Sequence, residues 1–161
     1  MKHTATKIGA LALAGVLLVS CSGGSGTDGS GAVAPSTSVA PAFEAKQVDQ
    51  VKVSNISAPQ VDPGLNIEVT LQAANSNPAA SGSIIYVLVK NLNEMPLPTD
   101  ALNVSLQGAS AVSDGTVGLD LPLGPSASTN LQFAFDASYS DLYNGTFTIG
   151  NLVYEGNLAG V

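Results

Sequence analysis

Few residue types in this chain can do chemistry. There is one thiol, Cys21, and one imidazole, His3; arginine is absent, and twelve carboxylates face five lysines. A thiolate can act as a nucleophile, a disulfide partner or a soft-metal ligand. Cys21 has no second cysteine in the chain to pair with. It closes residues 8–19, which are apolar or small at every position, and the polar tract Ser22-Gly23-Gly24-Ser25-Gly26 follows at once. Lys2 and Lys7 precede the apolar run with no acid between them. A positive start, a short apolar stretch and a small-residue boundary make up a secretory signal. A bilayer-spanning helix needs about 20 apolar residues, more than this run supplies.

Leu18-Val19-Ser20-Cys21 resembles the lipobox of a bacterial lipoprotein signal at all four positions. The resemblance implies that diacylglycerol is joined to the Cys21 sulfur and that cleavage falls between Ser20 and Cys21. It also implies that the new amino terminus is acylated by a fatty chain such as palmitate. Each buried methylene contributes about 0.8 kcal/mol, so one chain anchors marginally and two or three hold firmly. The expected organisation is a signal peptide over 1–20, a lipidated Cys21 with a flexible linker over 21–45, and a folded domain over 46–161. The expected place is the cell envelope, on a membrane outside the cytoplasm. The linker is Gly/Ser-rich and then Pro/Ala-rich, a composition that behaves as coil because it buries too little apolar surface to order itself. Phe43 is its one large apolar residue, either the first to pack on the domain or simply exposed.

Composition removes many functions. Once the signal leaves, Lys46, Lys52 and Lys90 remain against twelve acids, a formal net charge of −9. A basic face for nucleic acid is therefore not expected. Without histidine or a free thiol, Ser-His-Asp and Cys-His machinery cannot be assembled. No serine stands three residues before Lys46, Lys52 or Lys90, so Ser-x-x-Lys is missing as well. Zinc and copper sites draw on His and Cys. No Gly-rich loop opens a helix to cradle a nucleotide. The expectation is a non-enzyme without cofactors.

Carboxylates are what remain. Two of them in one cleft would make a glycosidase-type acid pair. Asp62, Asp114, Asp120, Asp136 and Asp141 fall in or beside predicted loops, and loops at one end of a sandwich can converge on calcium. Asp114, Asp136 and Asp141 are the calcium candidates, against the plainer reading of Asp114-Gly115 as a turn and of Asp136 and Asp141 as solvated. Tyr86, Tyr139, Tyr143 and Tyr154 could line a sugar- or peptide-binding face. In the plainer reading, Tyr86 and Tyr154 half-bury in the sheets while Tyr139 and Tyr143 pin the last corner.

The elements that position these groups read as strands. From Leu65 to Ala73 apolar and polar residues alternate strictly, the period of a strand with one face on a core. Leu102, Val104 and Leu106 alternate likewise, as do Val117, Leu119 and Leu121, and Leu131, Phe133 and Phe135. Val51 and Val53 predict an early strand, and Phe147 and Ile149 a late one that Leu152 to Tyr154 continue or bend. Residues 84–89 are apolar throughout and predict a central strand covered on both faces. Residues 138–144 predict a single helical turn closed by Gly145. Asp62-Pro63-Gly64, Asn77-Pro78, Pro96-Leu97-Pro98 and Leu123-Gly124-Pro125 supply turns, and Asn144-Gly145 is the best hairpin candidate. Seven or eight short strands with such punctuation predict an all-β, antiparallel, immunoglobulin-like β-sandwich. With Trp 0 and one Cys, its core must hold by aliphatic and Phe packing.

Val89-Lys90-Asn91-Leu92-Asn93, Pro96-Leu97-Pro98, 102–108 and Leu121-Pro122-Leu123-Gly124-Pro125-Ser126 together resemble the water-stress and hypersensitive response (LEA14-like) sandwich family, with Leu92 where that family has a proline. The resemblance implies an immunoglobulin-like fold and a non-catalytic protective or accessory role. The function expected is therefore a lipid-anchored envelope protein whose sandwich is a structural or interaction module. Its partners would be the membrane, through Cys21, and an envelope protein or glycan. The alternative is an extracellular module binding glycan, peptide or calcium, and a carboxylate-based hydrolase ranks behind both.

Overall fold

The computed structural model describes residues 42–161. The tetrapeptide Leu18, Val19, Ser20, Cys21 and the segments 1–20 and 21–41 lie outside the described residues. Among the described residues, nine strands form two sheets: β1 (Val51–Lys52), β2 (Gln60–Asp62), β3 (Ile67–Ser76), β4 (Ser83–Asn91), β5 (Val104–Leu106), β6 (Ala111–Val117), β7 (Ser128–Phe135), β8 (Gly145–Ile149) and β9 (Leu152–Gly156). One sheet runs β1-β9-β8-β5 and the other β2-β3-β4-β7-β6. The all-β sandwich expected from the alternation is the fold observed, with nine strands in place of seven or eight. The ladders are antiparallel except for β1, which runs parallel to β9 through Val51 and Val53 N–H bonds to the Asn151 and Val153 carbonyls.

The core lies between the sheets. Ile67, Val69 and Leu71 of β3, Ile85, Val87 and Val89 of β4, and Leu131 and Phe135 of β7 meet Leu106, Phe147, Ile149, Leu152 and Tyr154 of the facing sheet. Phe147 sits at its centre, with ring centroids 6.2 Å from both Phe135 and Tyr154. Each fully buried side chain of this size contributes about 1.5–3 kcal/mol, so no tryptophan or disulfide is needed. Leu97 and Leu123 pair as an isolated bridge over one end, and Leu142 and Leu158, from two short 3₁₀ turns, close the other. Phe43 packs on the core, and the Lys46 N–H donates to the Gly64 carbonyl.

Several local expectations are corrected. The alternation predicted Ala73 on the core side, but a bulge between Leu71 and Ala73 turns it outward and places Ala74 inside. One extra residue in a period-two strand exchanges the faces. Val117, Leu119 and Leu121 do not share a strand: β6 ends at Val117, and Leu121 is 77% exposed. Asp114-Gly115 is not a turn between strands. It lies inside β6, where the pairing slips between Val112 and Val117, and Gly115 adopts φ 92°. Asn144-Gly145 is not a hairpin turn, because Tyr139–Asn144 is a 3₁₀ turn that feeds β8 directly. The hairpin lies at Gly150-Asn151, between β8 and β9, with Gly150 at φ 58°. Tyr154 is fully buried rather than half-buried.

One carboxylate latches the two sheets together. Asp62, at the end of β2, is fully buried. Its Oδ1 accepts the Gly64 and Leu65 N–H groups at 2.8 and 3.0 Å and the Asn151 side-chain amide at 2.9 Å. Its Oδ2 accepts the Asn151 N–H at 2.7 Å. A β-carbon at Gly150 would collide with that Oδ2, and one at Gly64 with the Asn151 amide. Asp62→Ala should lower unfolding free energy by about 3 kcal/mol or more, since buried donors then lose their acceptor. Gly150→Ala should cost at least about 1–2 kcal/mol, from its left-handed backbone alone. Urea unfolding followed by circular dichroism reads both.

Tyr154 sits beside this latch and donates to the Val69 carbonyl at 3.4 Å. Burial, and then the Asp62 charge, push its phenol well above the usual value near 10. Above pH 10 the folded state thus keeps a proton that the unfolded state has lost, so stability falls as pH rises. The slope should approach about 1.4 kcal/mol per pH unit. In Tyr154→Phe the alkaline limb of a stability-against-pH curve should flatten by that amount.

Candidate functional site

β7 ends at Phe135, and the chain turns through Asp136 and Ala137 into the 3₁₀ turn. Ser83 Oγ, fully buried at the start of β4, donates to the Ala137 carbonyl at 2.9 Å and fixes this corner. Asp136 clasps the β5–β6 loop twice: its N–H donates to the Ser110 carbonyl at 3.0 Å, and its Oδ1 accepts the Ser110 N–H. Gly108, at φ 79°, gives that loop its bend. Asp141 holds the 3₁₀ turn by accepting the Ser138 N–H on Oδ2 at 2.9 Å, while its own N–H donates to the Ser138 carbonyl. Tyr139 and Tyr143 pack edge to face at 6.0 Å, and the Tyr139 hydroxyl donates to the Ala159 carbonyl at 3.1 Å. This pair pins the last corner, as the plainer reading of the tyrosines expected.

Between these elements lies a half-open cleft of about 500 Å³. Gln107, Asp136, Ser140, Asp141, Asn144 and Thr146 supply its polar lining. Among the described residues no lysine lines it, so Asp136 and Asp141 set the charge of this lining. Each spends one carboxylate oxygen on a backbone N–H, as above. The cleft suits a neutral or cationic ligand rich in hydrogen-bond donors.

The structure brings Asp136 and Asp141 to this cleft and leaves Asp114 out of it. Asp114 lies on the β6 bulge, where its carbonyl accepts the Asn77 amide at 2.8 Å. Asp62 is consumed by the latch. Among the described residues, no group of three or more His, Cys, Asp or Glu side chains is placed to hold a metal ion. The chain matches no family model, no curated protein and no solved structure.

Two polar clusters escaped the sequence reading. One is the Asp62–Asn151 latch, whose partners are 89 positions apart; Asp-Pro-Gly signals only its local half. The other is Asn91, fully buried. Its Nδ2 donates to the Met95, Leu123 and Gly124 carbonyls, and its Oδ1 accepts the Asn93 N–H and side-chain amide. Asn93 also donates to the Leu65 carbonyl at 2.9 Å. The Leu92 N–H bonds the Asn66 carbonyl at 3.1 Å, a bond that a proline at 92 could not make.

Asp141→Ala should lower the melting temperature through loss of its bond to the turn, at a cost of about 1 kcal/mol. Asn91→Leu should cost about 3 kcal/mol or more, because a shape-matched apolar side chain leaves several buried groups without partners. Differential scanning calorimetry checks the order of the two.

Proposed function

We propose that the protein is a lipid-anchored component of a bacterial cell envelope whose β-sandwich acts as a non-catalytic structural or interaction module. The tetrapeptide Leu18-Val19-Ser20-Cys21, closing a short apolar run and holding the chain's one thiol, carries the reading. The Gly/Ser and Pro/Ala linker then spaces the domain from the head groups. A coil of about 22 residues has a root-mean-square reach of roughly 25 Å. A net charge of −9 after processing offers no attraction to anionic lipid, so the fatty chains supply the attachment. The buried polar residues Asp62, Asn77, Ser83 and Asn91 are hydrogen-bonded within the fold, which supports a scaffold role for them. The kinship proposed for 89–126 with the water-stress and hypersensitive response sandwich points to the same accessory class.

A second reading is favoured by the cleft at Asp136 and Asp141: an extracellular module for a glycan, a peptide or calcium. A ligand that binds only the folded state raises its melting temperature with concentration. Calcium or an envelope oligosaccharide producing such a rise, lost in Asp136→Asn, would select this reading.

For the leading reading, intact mass spectrometry of protein from its native membrane should show cleavage before residue 21 and a diacylglyceryl adduct on Cys21. Cys21→Ser should move the protein from the detergent-rich to the aqueous phase on phase partitioning. An unacylated Cys21 in the native protein would overturn it.

A further inference from the structure

The sequence of β4 and its surroundings disagree. Residues 84–89 are apolar at every position, the pattern of a strand covered on both faces. The inner face, Ile85, Val87 and Val89, is closed by the core. On the outer face only Ile84 is closed, against the Gly115 bulge of β6. Tyr86 and Leu88 are left half-buried, and Val117, on the row of Tyr86 and Gln132, is 47% exposed. The β3–β4 register sets what surrounds them: Glu68 opposite Lys90, Thr70 opposite Leu88, Ala73 opposite Tyr86. Each of these pairs joins unlike partners, acid with base and small with large. Among the described residues the ion pair formed is Lys52–Glu155, so Glu68 and Lys90 stand opposite each other without pairing.

We propose that this face is the interface of a homodimer, in which a second copy of the chain stacks its own β3–β4 face on it. The two-fold axis runs along the strands, between β3 and β4. Such an interface is isologous, and the same patch must complement itself. This axis lays β3 of one copy over β4 of the other at the same height. Glu68 then meets Lys90 of the second copy, and Lys90 meets its Glu68. Tyr86 lies over the small Ala73 of the second copy, and Leu88 over its Thr70. Facing sheets pack about 10 Å apart at a small angle, a gap that large-over-small pairs fill. The bulge at Leu71–Ala73 makes this possible, since it is what turns Ala73 to the outer face. Strands spaced about 4.8 Å apart make a narrow face, at the low end of stable interfaces, so the dimer should dissociate on dilution. The proposal does not depend on the lipid anchor.

Sedimentation of the full-length protein in density-matched detergent tests it. The unaltered protein should pass from one chain to two as its concentration rises. Glu68→Lys alone and Lys90→Glu alone should each lose the two-chain species, because like charges then face each other across the axis. An equimolar mixture of these two variants should regain it, since charges at 68 and 90 then meet opposite signs between copies. Within each variant chain the 68/90 pair stays like-charged, so a purely internal role for these residues gives no rescue on mixing. Unaltered protein that stays monomeric throughout, or a mixture that does not recover the dimer, overturns the proposal.

Discussion

A buried carboxylate holds this sandwich in register. Asp62 stands at the edge of one sheet, and Asn151 at the hairpin tip of the other. Between them run two hydrogen bonds, while two more tie Asp62 to its own turn. Charged hydrogen bonds of this kind contribute more than neutral ones, and each buried donor would be costly if left alone. The latch also dictates its neighbours. Gly64 and Gly150 leave room for it, and Tyr154 is held neutral partly by its charge. The strap before β1 joins the same end of the sandwich through the Lys46 bond to Gly64.

The opposite construction serves the loops at 91–97 and 123–127. There neutral amides replace the carboxylate. Asn91 and Asn93 together satisfy carbonyls from three chain segments, and the Leu97–Leu123 bridge lies just beyond them. Asn77 does the same for the β6 bulge. Short polar side chains are suited to this work because they mimic a backbone group while leaving the chain free to turn. A molecule with so few charged residues can therefore order long connections without ion pairs.

Departures from regularity carry the surface properties. The β3 bulge puts Ala73 beside Tyr86 on the outer face, and the β6 bulge covers Ile84 but stops short of Leu88. Bulges also blunt β6, an edge strand that would otherwise present an open ladder. The acidic cleft arises in the same way, from a corner where β7 gives way to a 3₁₀ turn clasped by Asp136 and Asp141.

The alternation of 65–71, 131–135 and 147–154 was enough to establish an all-strand fold with one buried face, because side-chain period follows directly from strand geometry. The apolar run at 84–89 established the central strand of the larger sheet. The tetrapeptide 18–21, on which the proposed anchoring rests, is a contiguous pattern and so can be read without the fold. The rest was decided only in three dimensions. A single inserted residue reverses the faces of a strand without disturbing its composition, so Ala73 was misplaced, and β6 ends at Val117, so Leu119 and Leu121 belong to no strand. Asn144-Gly145 carries the local preference for a hairpin, but burial of Leu142 and Gly145 holds the chain in a helical turn and a strand start instead. Asp62 and Asn151, and Asp136 and Ser110, meet across long sequence separations. No local pattern records a hydrogen bond whose two ends are brought together only by the packing of the sheets.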